Sequence, residues 1–191
     1  MKRQRYLIYV SNSGFKPLDR KTLQSQFRVC SPHSLRLIDV RVGSRHIEFD
    51  VLADVDALNW AVRYLDNIFG VNEVREVVRA DENMIPEEIV GAAVRLFNSE
   101  KFWEAHELLE GLWRRLAGRE KEVIHAVILM AAAHVHLQKD EREVFTSMIL
   151  RAKETLSAFE GVVFGLEVNS LRRGCDSAVC GLNIKLETVV T

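Results

Sequence analysis

Val123-Ile-His-Ala-Val-Ile-Leu-Met-Ala-Ala-Ala-His-Val-His-Leu137 is apolar nearly all round. A helix of this kind has no face to give to solvent, so neighbouring elements must cover it on most sides. Its three consecutive alanines permit close approach of those neighbours. The run falls short of the ~20 residues that span a bilayer, and histidines interrupt it at 125, 134 and 136. It therefore predicts the central helix of a bundle, over about Arg119–Gln138. His134 shares a side with Val123, Val127 and Met130, the buried side. His125 and His136 fall elsewhere and lie about 16 Å apart along an α-helix, too far to share an ion.

Working outward, the helical period holds from Pro86 to Phe159. Pro86 followed by Glu87 and Glu88 is a first-turn signal, because proline lacks only a hydrogen that would be unpaired and acids suit the N-terminal dipole. That helix runs to about Phe97, and the next from about Glu100 to Leu116, stopping at Gly118. A further helix starts at Asp140, with Glu143 three residues on as a capping box. Short connections between long helices imply antiparallel neighbours. No repeat at a ~34-residue period turns these helix pairs into a solenoid.

Before residue 80 the period is different. Tyr6–Val10 is a β-favouring run stopped by the turn cluster Ser11–Gly14. Leu18–Phe27 suits a short helix. Leu35–Val42 and His46–Leu52 alternate around Gly43-Ser44, a Gly-first hairpin turn, with a change of phase between Leu37 and Ile38 that predicts a bulge. Asp56–Phe69 is helical in spacing, and Val74–Val78 is strand-like. The order βαββαβ is the ferredoxin-like arrangement, an antiparallel sheet with two helices on one face. The expected fold class is α+β. A ferredoxin-like module at 1–82 precedes a bundle of about four helices at 83–160, then a C-terminal extension at 161–191. In that extension Leu166–Leu171 suits a short helix, and Ile184–Val190 a strand or a docked tail.

Composition sets the broad class. The chain has 191 residues, 48% hydrophobic and 28% charged with three prolines, which describes a folded protein with a genuine core. No secretory signal is evident at the basic N-terminus, and the cytoplasm is the expected compartment. Cys30, Cys175 and Cys180 make no closed disulfide framework, and a Cys175–Cys180 bridge is left open. Net charge is −1, yet residues 1–50 hold ten Lys/Arg against four Asp/Glu. That spread-out excess allows an anionic partner. Against RNA, the strand from Arg45 lacks a glycine–aromatic signature, and Glu48 and Asp50 would repel phosphate. His33 and His46 read as turn and sheet-surface residues.

The chemistry-bearing stretch is Phe97-Asn-Ser-Glu-Lys-Phe-Trp-Glu-Ala-His-Glu-Leu-Leu-Glu-Gly-Leu-Trp113. At helical spacing Ala105, Leu108, Leu109, Leu112 and Leu116 form a core stripe. Trp103, His106, Glu110 and Trp113 line another side, with Glu107 and Arg114 beside them. Solvated faces rarely carry two tryptophans, and core faces rarely carry His and Glu, so this stripe is a semi-buried polar site or an intimate contact.

The Ala-His-Glu-x-x-Glu-x-x-Trp pattern, followed by the alanine-rich helix with His134, resembles the helical domain-of-unknown-function family 309, over about residues 86–160. The resemblance implies an all-helical bundle in prokaryotic proteins and brings no established activity. The matching positions are Trp103, His106, Glu107, Glu110, Trp113 and His134.

Three readings compete. In the first, the Trp103–Trp113 face binds a protein or small molecule without catalysis, using Trp103, His106, Glu107, Glu110 and Trp113, or is tied up in a structural hydrogen-bond network. No cofactor is expected there. In the second, His106, Glu110 and His134 ligate a divalent metal in a hydrolase with Glu107 as base. His-Glu-x-x-Glu, however, lacks the second imidazole of a zincin, and Glu122-x-x-His125 alone is no di-iron pattern. In the third, the basic N-terminal half binds nucleic acid. Apolar helix faces also allow a homo-oligomer, and no membrane partner is expected.

Overall fold

The computed structural model describes residues 3–77, 84–182 and 184–189, and the chain divides into two compact units. Residues 1–79 with 138–140 form the first, and 80–137 with 141–191 the second. The fold is α+β, a four-stranded antiparallel sheet followed by a helical region. The boundary expected near residues 82 and 83, and the strand end at Val78, lie outside the described residues.

In the first unit, β1 (Gln4–Ser11) is followed by a single 3-10 turn (Pro17–Asp19) and α1 (Arg20–Cys30). The hairpin β2 (Arg36–Val42) and β3 (His46–Ala53) leads to α2 (Val55–Phe69) and β4 (Val71–Glu76). The strand order is β2-β3-β1-β4, antiparallel throughout. Leu23 and Phe27 of α1 and Ala57, Ala61 and Leu65 of α2 share one core with Ile8, Val10, Phe49 and Val51. α2 starts where it does because the Asp54 carboxylate accepts the Ala57 N–H at 3.0 Å, satisfying an otherwise orphaned donor. The expected bulge is present, since the β2–β3 register slips between Leu37 and Asp39. The hairpin turn sits one residue later than Gly43-Ser44: Gly43 N–H donates to His46 C=O, leaving Ser44 and Arg45 at the tip.

Strand alternation does not mean a solvated second face here. Leu7, Tyr9, Arg41, His46, Glu48 and Asp50 are all buried. His46 is therefore no surface residue, and its ring meets Tyr9 edge-on at 5.0 Å. The charges survive burial by pairing. Asp50 accepts from Arg5 at 2.8 and 2.6 Å and from Arg41 at 2.9 Å, and Arg41 also contacts Glu48.

In the second unit, α3 (Pro86–Asn98), α4 (Phe102–Trp113), α5 (Gly118–Leu137) and α6 (Arg142–Ser157) pack each on the next. A short hairpin, β5 (Val162–Val163) and β6 (Leu166–Glu167), leads into α7 (Val168–Val179), which packs on α6 and α5. Helix α5 is central, buried from Val123 to His134 except at His125 and Ala132. The α3–α4 turn is closed by Lys101 N–H to Leu96 C=O and Glu100 N–H to Phe97 C=O, with Glu100 at φ 62°. This is the six-to-one, five-to-two pattern of a left-handed helix stop.

Two details depart from expectation. The capping box at Asp140 does not form: Asp140 takes φ 64°, α6 begins at Arg142, and Glu141 is drawn to the His136 ring. The three cysteines are free thiols, and burial pushes the Cys175 thiol up to about 11. None of the described helices is long and apolar enough to cross a membrane.

Candidate functional site

The sharp turn after α3 fixes the rotational setting of α4, which buries Ala105, Leu109 and Leu112 in the core and leaves the mixed stripe half-buried beside them. Along that stripe His106 sits between two acids. Its Nδ1 is 3.5 Å from a Glu107 carboxylate oxygen and its Nε2 is 3.6 Å from Glu110 Oε1. Both separations are electrostatic contacts longer than a good hydrogen bond. The other Glu110 oxygen accepts from Arg114 at 2.9 Å. Glu110 thus bridges His106 to Arg114 along one helix edge, while Glu107 is the more exposed acid. Trp103, half-buried, begins the same stripe one turn earlier.

Trp113 closes the stripe at the end of α4 and meets α5. Lys121 Nζ stands 4.4 Å from the indole centroid, within cation–π range, and the His125 ring is tilted against it at 6.0 Å. The Trp113 indole N–H is buried and has no hydrogen-bond partner among the described residues. Most buried N–H groups are paired, so an unpaired one is a free donor at this corner. Lys121 and His125 are not among the residues that the sequence pattern singles out. Their signal was the i, i+4 spacing on α5, which sets them on one face but does not say which residue that face meets.

His134 is placed elsewhere. Its ring lies 4.7–5.3 Å from those of Phe97, Phe102 and Phe145, and its Nδ1–H donates to the Met130 carbonyl at 2.8 Å. Burial holds its pKa below the usual imidazole value, with the Met130 carbonyl and the Glu100 charge opposing that shift. The three expected ligands His106, Glu110 and His134 are therefore not brought together. No group of three His, Cys, Asp or Glu that could hold a metal ion occurs among the described residues. An acidic edge, the Lys121 cation and an unpaired indole donor lie along one helix corner.

No curated protein matches the chain. Residues 90–148, which carry both tryptophans of the stripe with His106, Glu107, Glu110 and His134, match the family described as Domain of unknown function (DUF309), in agreement with the resemblance seen in the sequence.

Proposed function

We propose that this is a non-catalytic cytoplasmic binding protein whose contact region is the Trp103–Trp113 face of the helical unit. The observation that carries this reading is the Trp113 indole: a buried, unpaired N–H on a ring flanked by Lys121 and His125. An unpaired buried donor costs about 1–3 kcal/mol, and a bound acceptor would remove that cost. The first unit is read as ferredoxin-like, a reading supported by its βαββαβ succession and strand order, and as a partner module.

The test uses the three tryptophans as mutual controls. In 15N-labelled protein, a library of carboxylate- and amide-bearing fragments should shift the Trp113 indole resonance in preference to those of Trp60 and Trp103. Trp113→Phe keeps a ring and loses the N–H, and should abolish those interactions. Fragments that bind wild type and Trp113→Phe equally would sink the proposal.

A further inference from the structure

Residues 184–189 return to the helical unit from beyond α7. Leu186 is buried and forms one wall of a narrow slot whose other walls include Val90, Val94, Phe97, Ala105, Leu109 and Val127, with Leu166 of β6 beside them, and which has no room for a water. Asn98, the last residue of α3, reads the Leu186 backbone twice. Its side-chain NH2 donates to the Leu186 carbonyl at 2.8 Å, and the Leu186 N–H donates to its Oδ1 at 2.9 Å. Further on, Thr188 bridges to Leu166 of β6 in antiparallel fashion, and the Val189 N–H donates to the Gly165 carbonyl at 2.7 Å. Gly165, at φ 81°, makes room for this approach: a Cβ there would meet the Val189 oxygen at 3.3 Å.

We propose that this slot, with Asn98 at its rim, is a binding site for an extended leucine-bearing peptide, and that residues 184–189 occupy it in cis as a displaceable internal ligand. The parts are those of strand-addition recognition: main-chain hydrogen bonds grip any extended backbone, and one pocket selects the side chain. A carboxamide is the side chain suited to this, being donor and acceptor at once. Leu186 is the one fully buried residue among the described residues of the segment; Ile184 is half-buried against the core, and Lys185, Glu187, Thr188 and Val189 are exposed. The helical walls of the slot fall within the 90–148 stretch that matches the family, whereas Leu166 and the segment 184–189 lie outside it. The site is separate from the Trp113 corner and does not depend on that reading.

The probe is a fluorescein-labelled synthetic peptide of residues 182–191, titrated by anisotropy into the full chain. Leu186→Ser in the full chain weakens the internal competitor and should tighten peptide binding at least tenfold over wild type. Adding Asn98→Ala should reverse that gain, and a peptide carrying the same Leu186→Ser change should not bind. A folded Leu186→Ser chain that binds no better than wild type, or an Asn98→Ala change without effect, overturns the proposal. Should Leu186→Ser fail to fold, hydrogen exchange on wild type decides. The Leu186 and Val189 amides must exchange at least a hundredfold faster than those of α5, because a segment that opens only with the core cannot be displaced. Equal protection refutes displacement. A concentration-dependent wild-type dimer abolished by Asn98→Ala would give the slot to a second copy's tail, overturning the separate-peptide assignment.

Discussion

Replacing Arg41 by methionine tests whether the polar face of the sheet is held by charge pairing. Arg41, Glu48 and Asp50 are 3%, 1% and 0% exposed, so none of these charges can turn to water in the folded unit. In Arg41→Met, Asp50 keeps its two bonds from Arg5, but Glu48 loses its ion-pair partner. Removing one member of a buried pair costs about 3–5 kcal/mol, mostly through the charge left behind. The double variant Arg41→Met/Glu48→Gln removes that charge and should recover about half of the loss or more. In a background with Trp103 and Trp113 changed to Phe, Trp60 is the sole tryptophan. Urea unfolding followed by its fluorescence then reports on the first unit alone, avoiding a mixed transition from two units. A cost below about 1 kcal/mol for Arg41→Met, or a double variant no more stable than the single, would refute the pairing argument.

Three further outcomes follow from named geometry. His134 is held neutral by burial, so its folded pKa lies below the unfolded value of about 6.5. Its stabilising contribution is whole above that value and is lost as pH falls toward the folded pKa, so wild type should lose more stability than His134→Gln between pH 7.5 and 5.5, and equal slopes would contradict this. Gly165→Ala should cost about 1–2 kcal/mol through its left-handed backbone alone. Its signature is faster exchange of the Val189 amide with α4 unaffected. Asp54→Ala removes the α2 cap and should lower the stability of the first unit by about 1 kcal/mol, measured by the same Trp60 melts.

Local spacing carried much of the fold. The all-round apolar run at Val123–Leu137 marked the central helix, and the phase change after Leu37 marked the bulge. What local spacing cannot carry is the identity of a partner. His46, Glu48 and Asp50 alternate with apolar residues as a wet face would, yet they are buried, and arginines from β1 and β2 pair with the two acids there. Asp140 looked like a cap, but the competing attraction of Glu141 to His136 and the left-handed setting of Asp140 left that box unmade. In the site, Trp103, His106, Glu110 and Trp113 fall on one helix edge as periodicity requires. The Lys121 and His125 contacts and the separate aromatic setting of His134 depend on how α4 and α5 meet, which no single-helix pattern encodes.

The long reach from Asn98 to Leu186 also has a consequence during synthesis. The walls of the slot are complete only once Leu166 has been made, and Leu186 comes about twenty residues later. At translation rates of about 5–20 residues per second, that gap lasts roughly 1–4 s. Throughout that interval the nascent helices present an open apolar cleft, on a polysome where neighbouring chains stand at the same stage. Chaperone engagement of this protein should therefore peak in ribosome-bound chains that have passed Leu166 and not yet released Leu186.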